Sequence, residues 1–206
     1  MNLDFWFDYS SPYAYIASVR VADLSARTGA NLRWRPMLLG AVFKAVGQAD
    51  VPLLSFGEAK RRWYARDLVE QAEAFGAPFL FNPHFPLRTV LAARLTLAHP
   101  DPATFVHRVF RAAWAEGQDV TQLGVMRACG ADAVVREGEV TDATILAAAD
   151  AQRDALFANT TEAVESGVFG APTFIVSGEG RGPWLFWGQD RMDMVEAALT
   201  GWVPPA

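Results

Sequence analysis

Strand-forming patterns sit at the two ends of this chain and almost nowhere between them. Any sheet must therefore be assembled from segments separated by a long helical stretch. Leu3-Asp4-Phe5-Trp6-Phe7-Asp8 is too aromatic and too brief for a helix and reads as a strand. Ser11-Pro12 follows as N-cap and first helical residue, because serine can accept orphan amides and proline has none to lose. Tyr13, Ile16, Ala17, Val21 and Leu24 recur at helical spacing, and Gly29 stands where a left-handed C-cap is wanted. Leu32-Arg33-Trp34-Arg35 then alternates apolar and charged until Pro36. A strand–helix–strand unit of this kind predicts two parallel strands joined by a right-handed crossover.

From Leu38 to about Gly167 the patterns are helical. Ser55-Phe56-Gly57-Glu58 has capping-box spacing and predicts a helix running to Phe75, which Gly76 stops. Asp101-Pro102 opens another, with Phe105, Val109, Ala112 and Ala113 on one face. Thr121–Cys129 predicts a third, and 141–167 reads as one long helix or two. Between the first two lies Ala77-Pro78-Phe79-Leu80-Phe81-Asn82-Pro83-His84-Phe85-Pro86, an extended loop stiffened by three prolines. Beyond Gly167, Thr173–Val176 and Trp184–Trp187 flank glycines and predict an antiparallel hairpin; Gly188-Gln189-Asp190 then opens a final helix. The order is βαβ, a helical block, then ββα: an α/β fold with residues 38–167 inserted between 1–37 and 168–206.

Composition removes several function classes. Among 206 residues, 18 Lys and Arg stand against 23 Asp and Glu, a net charge of −5 that disfavours binding to nucleic acid. No apolar run approaches the ~20 residues of a membrane span, and Met1-Asn2-Leu3-Asp4 lacks a basic leader. The single cysteine, Cys129, excludes an internal disulfide, a CxxC dithiol and a thiolate zinc cluster. A reducing cytoplasmic compartment is expected, with no metal, and Cys129 is expected to be an inert core thiol.

Five stretches taken together resemble a known family: Asp8-Tyr9-Ser10-Ser11-Pro12-Tyr13, Arg35-Pro36-Met37-Leu38-Leu39-Gly40, Asn82-Pro83-His84-Phe85-Pro86, Gly167-Val168-Phe169-Gly170-Ala171-Pro172-Thr173-Phe174 and Trp187-Gly188-Gln189-Asp190-Arg191. They are similar to the 2-hydroxychromene-2-carboxylate isomerases, relatives of the kappa-class glutathione transferases. The resemblance implies a DsbA-like thioredoxin fold with an inserted all-helical domain, a cis bond before Pro172, glutathione as cofactor, a small aromatic acid as substrate, and a homodimer.

Under that resemblance Ser11 is the catalytic residue. It stands where redox relatives carry a nucleophilic cysteine, and the helix pole that stabilises a thiolate can serve a sulfur borrowed from glutathione. Its hydroxyl would donate to that anion. Local sequence alone favours reading Ser11 as a plain N-cap, and the other four stretches reverse that; Ser10 is its neighbour, and Asp8 either supports the site or forms the turn. Ala171 and Pro172 are expected to pair with the cysteinyl backbone, and Gln189 and Asp190 to take the γ-glutamyl end. Lys60 is expected to reach a carboxylate, although Lys60-Arg61-Arg62 also reads as a solvated basic face. Gln48 (where the family carries asparagine), Asn82 and His84 are expected to touch substrate. The readings left open are isomerase, kappa-type transferase, and a non-catalytic module that binds glutathione or a peptide.

Overall fold

The computed structural model describes residues 1–49 and 51–205. The chain begins with β1 (Asn2–Phe7), α1 (Pro12–Thr28) and β2 (Asn31–Pro36). The helical stretch comprises α2 (Leu39–Ala45), α3 (Pro52–Ser55), α4 (Glu58–Phe75), α5 (Val90–Ala98), α6 (Pro102–Trp114), α7 (Leu123–Ala128), α8 (Asp142–Asp150) and α9 (Arg153–Glu165). The return to β is β3 (Thr173–Gly178) and β4 (Arg181–Trp187). A 3₁₀ turn (Gln189–Arg191) then leads into α10 (Met192–Thr200).

The four strands form one sheet in the order β2-β1-β3-β4. β1 runs parallel to β2 and antiparallel to β3, and β3 is antiparallel to β4. As a central strand, β1 is buried on both faces, and alternation sends its side chains into two different cores. Leu3, Phe5 and Phe7 join Phe174, Val176 and residues of α1, α6 and α10. Trp6 points the other way, with Met37, Leu39, Val42, Ala163 and Ile175 beneath α2 and α9. The first cluster runs without a break from the sheet into the inserted helices through Phe110, Trp114 and Ile145.

Local signals explain several element ends. Ser11 caps α1 by accepting from the Ala14 amide at 3.2 Å, and Gly29 ends it at φ 66°. Asp101 caps α6 through Thr104. The capping box expected at Ser55 does not form. Pro52 opens the short α3, Ser55 ends it with its hydroxyl on the Pro52 carbonyl at 2.7 Å, and Gly57 caps α4. Thr121 likewise stays out of α7; its amide and hydroxyl are held by the Asp119 carboxylate, and the helix starts at Leu123. Residues 141–167 form two helices, α8 opened by a Thr141/Thr144 capping box.

Three helices have no counterpart among the expected elements, the four-residue α3 being the shortest. α5 (VLAARLTLA) is apolar on nearly every side and lacks an amphipathic period, and α2 is only seven residues long. Among the described residues, no helix is long and apolar enough to cross a membrane.

Candidate active site

At the C-terminal end of β1 the chain turns sharply into α1, and Asp8 organises that turn. Its Oδ1 accepts from the Ser10 amide (2.9 Å), the Ser10 hydroxyl (3.0 Å) and the Thr89 hydroxyl (2.7 Å). Its Oδ2 accepts from the Leu39 amide at 2.8 Å. The carboxylate is 5% exposed and joins three separate segments: the turn itself, the start of α2 and the entry to α5. Tyr9 adds two further ties, its hydroxyl lying 2.6 Å from Thr96 Oγ1 and its carbonyl accepting from Trp114 Nε1 at 2.8 Å. The inserted helices are thereby fastened to the turn that presents Ser11.

Ser11 Oγ donates to the Ala171 carbonyl at 2.9 Å while accepting from Ala14. The Ala171–Pro172 bond is cis, and the Pro172 carbonyl accepts from the Gly188 amide at 3.0 Å. These bonds carry Ser11, Ala171, Pro172 and the Gln189–Arg191 turn into one place, across 160 residues of sequence between Ser11 and Ala171. Gly170 allows a close approach beside them, since a Cβ there would lie 2.5 Å from Trp187 Nε1.

The Ser11 hydrogen differs from expectation in its direction. It faces the Ala171 carbonyl, so two groups expected to face a ligand face each other, and Ser11 is 5% exposed. The half-buried Ser10, Tyr13 and Ala171 form the rim around it. Ser10 does not compete for the role, because both its amide and its hydroxyl are given to Asp8.

Tyr13 recurs at helical spacing with Ile16, Ala17, Val21 and Leu24, which are buried. Unlike them it is half-buried, donates to Asp67 Oδ2 on α4, and meets Tyr64 edge-on at 5.4 Å. Burial chiefly pushes its phenol pKa far up, helped by the Asp67 hydrogen bond and by the charges of Asp67 and Asp190. Tyr64 is pushed up to about 12 by burial and by Asp67. No local pattern pairs residue 13 with residue 67; the packing of α4 along α1 does. The pair places a second carboxylate, beside that of Asp190, on this flank of the α1 pole.

Within the turn beside Ser11, Asp190 is exposed, with Arg191 at 3.8 Å, and Gln189 is buried at its start. Lys60 is exposed on α4, its Nζ 3.9 Å from the Phe56 ring centroid. Gln48 is exposed just past α2, its amide on the Phe43 carbonyl; Asp50, in the same stretch, lies outside the described residues. The expectation that Asn82 touches substrate is corrected. It is 1% exposed, donates to the carbonyls of Ala113 (2.7 Å) and Gln118 (2.9 Å), and accepts from the His84 amide (2.8 Å). A buried amide so fully engaged holds the proline loop onto the end of α6. His84 is exposed beside a recess of about 230 Å³ shared with Arg88, Asp119 and Thr121, whose lining does not include Ser11, Ala171 or Pro172. Cys129 is buried, and burial raises its thiol to about 11.

A serine-capped helix facing a cis-proline, over a sheet in the order β2-β1-β3-β4, defines a thioredoxin-type protein without a redox cysteine at the helix pole. The model of the DsbA-like thioredoxin domain matches residues 2–200, and the chain belongs to that family. It is 28% identical to a 2-hydroxychromene-2-carboxylate isomerase of Sphingobium xenophagum, with 96% of this chain and 97% of that one covered. It is 23% identical to glutathione S-transferase kappa 1 of Rattus norvegicus, with 98% and 94% covered. A solved 2-hydroxychromene-2-carboxylate isomerase superposes with a TM-score of 0.80 at 24% identity, over 97% of this chain and 94% of that one.

Proposed function

We propose that this protein is a glutathione-dependent isomerase interconverting 2-hydroxychromene-2-carboxylate and trans-o-hydroxybenzylidenepyruvate, a step in aromatic hydrocarbon catabolism. One observation carries the reading: Ser11 stands at the pole of α1, 2.9 Å from the carbonyl that precedes cis-Pro172. The likeness over nearly the full length to isomerases supports it.

The residues present suit glutathione. The tripeptide carries one ammonium and two carboxylates; the flank of the pole carries the Asp67 and Asp190 carboxylates, and Lys60 is an exposed cation on α4. Ala171 is half-buried on the rim before a cis-proline, and once Ser11 turns from its carbonyl its backbone would suit pairing with an extended peptide. When bound, glutathione supplies a sulfur nucleophile whose addition to the conjugated substrate, and later departure, allows the former double bond to rotate.

The protein's own part is electrostatic. Ser11, turned from the Ala171 carbonyl, would donate to the sulfur anion, and the α1 pole adds its partial positive charge. Asp8 holds the turn so that this hydroxyl and the pole stay together. Lys60 would balance a carboxylate of the tripeptide or of the substrate acid.

The test is the absorbance change of the chromene acid with and without glutathione. Glutathione-dependent turnover is expected, falling about 100-fold in Ser11→Ala if one charge-stabilising donor is lost. Accumulation of a stable glutathione adduct would instead identify a kappa-type transferase. Binding without turnover would identify a non-catalytic module, and unchanged turnover in Ser11→Ala would refute the role given to Ser11.

A further inference from the structure

We infer that the trough between α2, α5 and α9 binds a straight-chain fatty acid, an apolar chain that ends in one carboxylate. The trough holds about 530 Å³, inside the range of about 300–1,000 Å³ common for small-molecule sites. Its lining does not include Ser11, Ala171 or Pro172.

The shape is set by one stripe of α9. Arg153, Leu156, Phe157, Thr160, Val164 and Glu165 line the trough at helical spacing, from the first residue of that helix to the last. At the rise of an α-helix the stripe is about 18 Å long, and its uncharged part from Leu156 to Val164 about 12 Å. Leu38, Ala41, Ala45 and Val90 line the rest, and the two alanines end at a methyl group that leaves room beside α9. The Thr160 hydroxyl is engaged within the chain, donating to the Leu156 carbonyl (2.9 Å) and accepting from the Leu38 amide (3.2 Å). Phe157, at 74%, is the most exposed large hydrophobic side chain among the described residues. It would bury apolar surface by folding over an occupant.

The charges identify that occupant. Arg94 reaches Asp150, three residues before Arg153, so both guanidinium groups belong to the end of the trough where α9 begins. Arg153 has no ion-pair partner among the described residues. Arg94 gives one Nη to Asp150 at 2.6 Å, while its Nε is buried without an acceptor. The Asp150 side chain is 77% exposed, and a surface pair of this kind holds its arginine weakly. Two incompletely satisfied guanidinium groups at one end suit a carboxylate, which matches their planar fork. Glu165 stands at the other end, where a second carboxylate would meet a like charge. A dicarboxylate therefore fits poorly, and an uncharged lipid leaves the arginines unanswered. A fused-ring acid would fill the arginine end and leave the Val164 end empty.

Equilibrium dialysis of radiolabelled decanoate against the full chain tests this, with circular dichroism checking that each variant is folded. Decanoate is expected to bind one per chain, and unlabelled decanol, sebacate and 2-naphthoate to compete at least about tenfold less well than unlabelled decanoate. Arg153→Glu and Arg94→Gln are each expected to weaken binding about tenfold or more, as loss of a charge-assisted hydrogen bond requires. Ala45→Trp, which fills the trough and alters no charge, is expected to abolish it. The inference is overturned if no decanoate is retained at millimolar concentration, or if any of the three competitors matches decanoate. Binding indifferent to Arg153→Glu or to Ala45→Trp would also overturn it, by placing the acid elsewhere. None of these readouts involves glutathione or turnover, so failure would leave the proposed function standing.

Discussion

Replacing Asp8 with Asn changes almost no volume, yet it removes one of two acceptor oxygens from a carboxylate that serves four donors. If the amide keeps its oxygen at the Oδ1 position, Ser10 and Thr89 stay satisfied. The Leu39 amide then meets an NH₂ group and loses its acceptor. If the amide flips, three donors are stranded instead, of which the Ser10 amide cannot rotate away. The first arrangement is the cheaper one. Losing one charge-assisted hydrogen bond and leaving a buried amide unpaired costs about 2–3 kcal/mol. Asp8→Ala abandons all four donors at a buried position and is expected to cost about 3–5 kcal/mol, less than four separate bonds because water enters the space. For a chain of this size, about 2–4 °C of melting temperature accompanies each kcal/mol, so Asp8→Asn should melt about 4–12 °C lower. Urea unfolding followed by far-UV circular dichroism measures the change. A cost below about 0.5 kcal/mol for Asp8→Asn, or an Ala variant no less stable than the Asn variant, would refute the view that this carboxylate joins the inserted helices to the Ser11 turn.

Asn82→Ala strands the Ala113 and Gln118 carbonyls and should cost about 2–4 kcal/mol in urea unfolding, with KM for the chromene acid unchanged once the protein is folded. Gly170→Ala puts a methyl group 2.5 Å from Trp187 Nε1; the half-exposed indole must swing out, which a shift in tryptophan emission should register. Burial lowers the pKa of His107 below that of the unfolded chain, so the unfolded state binds more protons as pH falls through 6.5. Stability should therefore decline from pH 7 toward pH 5, and His107→Gln should lessen that slope in pH-dependent urea titrations. Cys129, raised to about 11, should react with maleimide at pH 8 only at the rate of unfolding.

The ends of the chain were the most legible part. β1, α1, β2 and the β3–β4 hairpin each carry their own pattern, and Ser11-Pro12 and Gly29 mark the limits of α1 from within a few residues. Helix ends that depend on competition between neighbours were less so. Ser55 has the spacing of a cap, but Pro52 captures it for a different helix. α5 escaped notice because burial on nearly all sides erases the period by which an amphipathic helix is read.

By itself the sequence determined the order of the strands around a helical block, the absence of a dithiol, and the serine cap before the first helical proline. Each of these depends on residues adjacent in the chain, or on a count. Tertiary structure alone decided which groups meet: Ser11 with Ala171, Tyr13 with Asp67, and Asp8 with Leu39 and Thr89. It also turned Asn82 inward, onto the end of α6. The physical reason is that a hydrogen bond is specified by position and direction in space. Partners separated by tens of residues acquire these only when the cores on both faces of the sheet have closed.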